Sequence, residues 1–287
     1  MMISIVTAYY NRKKLFVKTL ESIKSQKFEG SFEVIAVDDG SNENERLEDL
    51  IQEYPFLKVI RLEKENKWYH NSCIPFNIGF RAAKGDKIII QNPECFHYGN
   101  ILQYTHQNLA DNKYLSFACF SLDKTSTEDI DKIFANRQID EVIAKNNECI
   151  KNDGDAGWYN HSIYRPKGYH FCTSIKKSDL HHLGGFDEMY SLGIAYDDDD
   201  LLSRIKKKKM DIQFIDSEIV LHQNHYSPNS TSFENREYKT ALIDRNKKLF
   251  TKLSNKSYVT ANIISNKIGL NSKKYYIKII LNVLERI

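Results

Sequence analysis

Four consecutive aspartates, at 197–200, run directly into Leu201 and Leu202 in the segment GIAYDDDDLLSRI. Leu201, Leu202 and Ile205 share an apolar face, so a helix is expected to start at the aspartates. Acidic side chains at a helix N-terminus are favoured by the dipole, each by roughly 0.3–1 kcal/mol. Capping accounts for one or two of the four and gives no reason for the rest. A carboxylate crowded by others has its pKa raised, which makes it a better proton acceptor for a hydroxyl group. The other reading is a solvated acidic cap. Further along, His222 and Gln223 close a strand-like run, with His225 close behind. A histidine there is either a ligand or a structural side chain.

These residues need a scaffold. The segments 2–10, 32–41, 57–63 and 86–92 are short, β-branched and apolar, as buried strands are, and 212–223 reads the same way. Helical patterns lie between them. Phe16, Leu20 and Ile23 fall on one face of 13–26, and Leu47, Leu50, Ile51 and Tyr54 recur at helical spacing. Pro75 suits a first helical turn and Gly85 its stop. Strand and helix alternating at this spacing define an α/β domain with a mixed, largely parallel sheet flanked by helices. In such sheets ligands bind beyond the carboxyl ends of the strands. Those ends carry Thr7, Tyr9, Asn11 and Arg12, then Asp38, Asp39 and Ser41, then Asn92, Pro93 and Glu94. A plain capped turn is the alternative for Asp38 and Asp39. From 124 to 177 the pattern loosens into polar helical pieces and an aromatic loop, 154–171, that holds Trp158, Tyr159, His161, Tyr164 and Tyr169. Such aromatics stack on sugar faces or fill a small core.

The succession IVTAYYNR, VIAVDDGS, FNIGFRAAKGDKIII, GGFDE and DDDDL resembles the inverting nucleotide-sugar glycosyltransferases of family 2, with the GT-A fold, over roughly residues 2–225. The GGFDE and DDDDL pair is similar to the acceptor-side segment of galactosyl- and N-acetylgalactosaminyl-transferring members. The resemblance implies an inverting hexosyl transfer from a nucleotide sugar, UDP-Gal, UDP-GalNAc, UDP-Glc or UDP-GlcNAc, to a hydroxyl of a glycan or lipid-linked glycan in bacterial surface polysaccharide synthesis. It assigns the base to Asp198, with Asp197 standing where the family has glutamate. Thr7, Tyr9, Asn11, Asp38, Asp39, Asn77 and Asn92 are then expected to hold the nucleotide sugar. Trp158, Tyr159, Asp197 and Asp199 are expected on the acceptor side, Trp158 foremost. The family's D-x-D, whose carboxylates hold a divalent metal, is replaced here by Asn92, Pro93 and Glu94. Glu94 and His222 are thus expected to hold the metal (Mn or Mg) weakly, or the diphosphate directly, with His225 a rival to His222. Asn77 matches the family's R-N-x-G, but Phe76 replaces its arginine, and Arg81 is a substitute. A non-catalytic nucleotide-sugar-binding protein is the rival reading, since the metal motif has changed. No Gly-rich basic loop follows the first strand, which disfavours a nucleotidyltransferase.

Composition bounds the partners. The 287 residues carry a formal net charge of only +3, which argues against a dedicated nucleic-acid binder. Five scattered cysteines form no C-x-x-C pair, as expected of a reducing compartment without a zinc site. No run approaches the roughly 20 apolar residues of a membrane span, and no secretory signal is visible, so a cytoplasmic protein is expected. The organisation expected is a catalytic domain over 1–225, with nucleotide-sugar (1–110) and acceptor (111–225) halves, then a basic helical extension over 226–287. Lys247, Lys248, Lys252, Lys256, Lys267, Lys273, Lys274 and Lys278 lie there among apolar residues. That pattern fits a peripheral contact with the inner face of the membrane, or an arm packed on the domain or on a second copy.

Overall fold

The computed structural model describes residues 2–136, 138–147, 154–225 and 239–262. The buried β-branched runs pair first. Strands β1 (Met2–Tyr9), β2 (Ser31–Asp38), β3 (Leu57–Arg61) and β4 (Lys87–Gln91) are parallel, in the order β3-β2-β1-β4. Helix α1 (Lys13–Lys24) links the first two strands, and α2 (Cys73–Ala82) precedes β4. Alternation along β1 sends Ile3 and Ile5 to one face, where Phe16, Leu20 and Ile23 of α1 cover them. Val6 goes to the other face, against Phe76 and Phe80 of α2. The chain runs outward from β1 through β2 to β3 and then returns to the other side of β1 with β4. The crevice between the ends of β1 and β4 is therefore a topological switch point.

Beyond β4 the sheet is mixed, continuing through β8 (Cys172–Lys176), β6 (Lys113–Ser121), β9 (Asp211–His222) and β5 (Cys95–His97), with β7 (Gly157–Asn160) beside β6. Strands β8 and β7 run antiparallel to β6, while β9 runs parallel to it. Around this half lie α3 (Ile101–Asn108), the short α4 (Lys124–Glu128), α5 (Ile130–Ala135) and α6 (Ile139–Lys145), α7 (Lys177–Leu183) and α8 (Asp197–Lys207).

The helix expected across 47–54 does not form. Leu47, Leu50 and Tyr54 are buried as its apolar face required, but the backbone makes only short 3-10 turns, Glu43–Glu45 and Glu48–Leu50. Pro55 disfavours the α conformation in the residue before it and ends the pattern early. Of the basic extension, the described part is α9 (Lys239–Ser254) and the strand-free segment to residue 262. Leu249 and Leu253 of α9 pack on Met189 and Tyr190, so this helix lays apolar residues on the α/β domain. Lys267, Lys273, Lys274 and Lys278 lie outside the described residues. Among the described residues no helix is long and apolar enough to cross a membrane.

Candidate active site

A cavity of about 450 Å³ opens at the switch point, beyond the ends of β1 and β4. Three groups of side chains converge on it. At one side is Asp39, whose amide donates to Tyr9 O (2.8 Å). Its carboxylate accepts from Lys67 Nζ (2.5 Å) and from the Tyr69 hydroxyl. The Lys67 ammonium also lies over the rings of Tyr10 (5.2 Å) and Tyr69 (5.4 Å), so a charged and aromatic wall forms around Asp39. The twin carboxylate, Asp38, faces the other way. It is fully buried, accepts from Ser41 N (2.9 Å) and pairs with Arg61 Nη1 (2.9 Å), which fixes the turn after β2.

The second group is built by strand pairing. Antiparallel β5 and β9 set Cys95 opposite His222, which brings Glu94 beside the end of β9. Gln223 then locks the register, its backbone N and side-chain Nε2 both donating to Glu94 O (3.1 and 3.0 Å). Glu94 Oε1 lies 3.1 Å from His222 Nε2 and 3.3 Å from His225 Nε2, and Oε2 accepts from Arg12 Nη1 at 2.9 Å. Burial opposes the charge on Glu94, yet Arg12, His225 and the histidine hydrogen bonds outweigh it and hold the carboxyl well below its ordinary value. For His222 the balance is opposite. Burial pushes its pKa down more than Glu94 pushes it up, so the ring is neutral near pH 7. Tyr159 presents its edge to His222 at 4.9 Å and stacks on Phe171 at 4.7 Å.

A carboxylate oxygen and two imidazole nitrogens, all within 4.8 Å of one another, suit a borderline divalent cation such as Mn²⁺. Buried His222 Nδ1 has no hydrogen-bond partner, and Glu94 keeps one oxygen directed at both rings. The residues present therefore fit a metal, although the pair of carboxylates of a D-x-D is absent.

The third group is the aspartate run, whose four members divide. Helix α8 begins at Asp197, as its apolar face implied. Asp200 is buried and turned inward, accepting from Arg204 Nε (2.7 Å) and the Tyr258 hydroxyl. Arg204, fully buried, donates further to Leu183 O (2.6 Å) and Gly185 O (2.9 Å), which ties the run to the Gly184 and Gly185 turn. Asp187, close by, is pushed up to about 6 by burial and by Asp200. Asp199 accepts from the Tyr169 hydroxyl (2.8 Å) and Asp197 from Asn71 Nδ2 (2.9 Å). Asp198 is half-buried and lines the cavity, and its carboxyl is raised well above the usual range, by burial first and then by Asp197 and Asp199.

Of the residues expected from sequence, Tyr9, Arg12, Asp39, Asn92, Pro93, Glu94, Tyr159, Tyr169, Asp197, Asp198, His222 and His225 share the cavity wall. The others lie elsewhere. Thr7 is buried within β1 with its hydroxyl unpaired. Asn11, in the left-handed region (φ 47°), builds a turn, its side chain accepting from Asn42 N. Asn77 ties α2 to the GGFDE segment through Phe186 O and Glu188. Trp158 requires a correction. It is 3% exposed, meets Phe120 edge-on and donates to Asn147 Oδ1 (2.8 Å) in a separate core. Successive residues of β7 point to opposite faces, so it is Tyr159 that reaches the cavity. Arg81 pairs with Glu188 (3.5 Å) beside a different cavity. The cations at the site are Arg12, Lys67 and Arg165 instead. Arg12 stands two residues past the tyrosine pair at the end of β1, among the strand-end residues expected at the crevice, though with no role assigned to it there.

A mixed, largely parallel sheet with a charged switch-point cleft, facing a helix that opens on carboxylates, is the architecture of a nucleotide-sugar glycosyltransferase. Residues 4–165 match the family described as glycosyl transferase family 2, and residues 165–226 match the N-terminal domain of galactosyltransferase. The chain belongs to glycosyl transferase family 2. It is 29% identical over 158 residues to chondroitin synthase of Escherichia coli, covering 50% of this chain and 23% of that protein. It is also 24% identical over 211 residues to chondroitin synthase of Pasteurella multocida, covering 66% and 21%. The chain thus spans under a quarter of the length of these two relatives. Among solved structures, TarS 1-349 of S. aureus in complex with UDP superposes with a TM-score of 0.53 at 14% identity, covering 99% of this chain and 80% of that one. The mannosyltransferase PcManGT of Pyrobaculum calidifontis, with GDP-Man and Mn2+, gives 0.51 at 17%, covering 81% and 59%. These likenesses carry the GT-A fold.

Proposed function

We propose that the protein transfers a sugar, with inversion, from a UDP-sugar to a hydroxyl of a growing glycan, Asp198 serving as general base. The observation that carries this reading is the shared cavity. Asp39, the Glu94 cluster and Asp198 are three sites of different chemistry on one wall. Asp39, framed by Lys67, Tyr69 and Tyr10, suits a nucleoside, through hydrogen bonding and ring stacking. The diphosphate belongs at the Glu94, His222 and His225 cluster beside Arg12, whose guanidinium meets negative charge developing on the leaving group. When a divalent cation is bound there, it supplies Lewis-acid stabilisation of that same charge. The acceptor hydroxyl gives its proton to Asp198 while its oxygen attacks the anomeric carbon from the face opposite the nucleotide. The bond from that carbon to the phosphate oxygen breaks, and UDP leaves with the electron pair.

A raised carboxyl pKa suits this role, because an ordinary aspartate is too weak a base for a sugar hydroxyl. Tyr159 and Tyr169 offer ring faces to the acceptor. The match to a galactosyltransferase domain supports a galactosyl-type donor, and the chondroitin synthase relatives support a polysaccharide product. The test is a screen of UDP-Gal, UDP-GalNAc, UDP-Glc and UDP-GlcNAc with Mn²⁺, read as UDP release. Turnover of at least one donor is expected. Tight UDP-sugar binding with no release from any of the four would favour a non-catalytic binding protein.

A further inference from the structure

The aspartate run starts α8 directly after two consecutive residues in the left-handed region, Ala195 (φ 62°) and Tyr196 (φ 66°). Neither is glycine, so each stores strain that the surroundings must hold in place. The turn borders the cavity through Ile194 and Ala195 and passes the chain to Asp197 and Asp198. Tyr196 O accepts an early hydrogen bond of the helix, from Asp200 N at 3.0 Å.

The restraint comes from α9. Asn246, 0% exposed, donates from its amide to Tyr190 O (3.0 Å) and to Ala195 O (2.9 Å), on either side of Gly193. Its oxygen accepts from Arg245 Nη1 (2.9 Å). One turn earlier on the same helix, Leu242 O accepts from Ile194 N (3.2 Å), and one turn later Phe250 tilts against Tyr196 at 5.7 Å. Gly193 is what lets the amide approach, since a Cβ there would lie 2.2 Å from Asn246 Oδ1. Packing of α9 does not require a buried amide at this position, because Leu249 and Leu253 already supply the apolar contact.

We infer that Asn246 is a positioning residue for catalysis: it clamps the 193–196 turn in the geometry that sets Asp197 and Asp198 on the cavity wall. The helix it belongs to lies beyond the matched family segments, which end at 226, and so becomes part of the machinery of the active site. The inference rests on the reading of Asp198 as base, and on nothing concerning donor identity. A small displacement of a reacting group costs about 10²-fold in rate, whereas Lys67 and Tyr69, which hold Asp39, are joined to this region through His70 N and Asn71 N on Ser191 O (2.8 and 3.3 Å), outside the 193–196 turn.

The test uses Asn246→Ala, Gly193→Ala and the double variant in the full chain. Hydrogen exchange by mass spectrometry reads the turn, donor kinetics read kcat and KM, and calorimetry reads UDP affinity. Asn246→Ala should speed exchange in peptides spanning 190–200 and lower kcat about 10²-fold, with donor KM and UDP affinity unchanged. Gly193→Ala displaces the same amide and also presses on Leu242 O (2.7 Å), the other contact of this turn with α9, and should do likewise. The double variant should fall well short of the product of the two single effects, since both loosen the same turn. Should Asn246→Ala fail to fold, Gly193→Ala carries the same readouts. Unchanged exchange overturns the inference, as does faster exchange with unaltered kcat, or a loss of UDP affinity parallel to that of kcat. If the wild type releases UDP from no donor, the functional reading fails by itself, and exchange in 190–200 still decides whether the clamp exists.

Discussion

Replacing Asp198 by asparagine should push activity and stability in opposite directions. The amide keeps the shape and retains the oxygen that accepts from Asp199 N (2.9 Å), so the first turn of α8 is preserved. It cannot accept the acceptor's proton, and loss of a general base costs about 10²–10⁴ in rate, or roughly 2.7–5.4 kcal/mol of barrier. The stability effect follows from the raised carboxyl pKa. A carboxyl whose folded pKa lies above its unfolded value favours the folded state only while protonated. Its ionisation therefore costs folding free energy progressively as pH rises from about 4 through the folded value, and the full cost stands above that. Asparagine never ionises, so the variant should melt higher than wild type at pH 7–8, and the gain should vanish below about pH 4. UDP release and thermal melts across pH 3–8 test both halves. A variant that is less stable and nearly as active would show that Asp198 is only a helix cap, and would move the base to Asp197 or Asp199.

Other expectations can be checked with simple variants. Asp39→Ala should weaken UDP binding far more than Asp198→Asn does, by calorimetry; equal affinity for wild type and the Asp39 variant would leave the turn after β2 without a nucleotide role. Metal should bind only with the nucleotide present, and EDTA should lower activity without abolishing it. His225→Ala should raise the Mn²⁺ concentration needed for half-maximal rate, and tight Mn²⁺ binding by the nucleotide-free protein would contradict the charge balance at Glu94. Arg204→Gln should cost about 3–5 kcal/mol in urea unfolding, because Asp200 is left buried without its cation; a loss under about 1 kcal/mol would mean that Tyr258 alone satisfies Asp200.

Local signals in the sequence carried far where strands are buried on both faces. The runs ending at Tyr9, Asp38 and Gln91 read as strands because β-branched residues fill them, and their ends fall on the switch-point cleft as such sheets require. The start of α8 was legible from Leu201, Leu202 and Ile205. Strand β6, which pairs with β7, β8 and β9, has no comparable local mark. Its KYLSFACFS mixes polar and apolar residues at buried positions, since Ser116 and Ser121 lie in the core with the rest. The site had the same division. Which of Asp38 and Asp39 meets the cavity is set by Arg61 and Lys67, far along the chain, and spacing within VDDGS cannot distinguish them. Tyr159 and Trp158 differ only in the face of a short strand whose existence depends on pairing with β6. The clamp by Asn246 crosses 51 residues of chain to Ala195 and has no sequence signature.

Under the proposed function, charge balance explains how the cleft would do without a pair of carboxylates. Before any ligand arrives, Glu94 is ionised, its charge is met by Arg12, and burial keeps His222 neutral. The Glu94 carboxylate is then already engaged by Arg12, and a divalent cation alone would gain little from it while losing its hydration. A diphosphate changes the sign of that comparison. Its negative oxygens attract Arg12, which frees the Glu94 carboxylate, and they add ligands beside two imidazole nitrogens. Nucleotide and cation should therefore bind together, each raising the affinity of the other by the same factor. On the proposed function, the base stands apart from this exchange. Asp198 owes its raised pKa to burial and to Asp197 and Asp199. Leaving-group stabilisation and proton acceptance are thus set by separate charges, so the metal ligands can vary while the aspartate run keeps its chemistry.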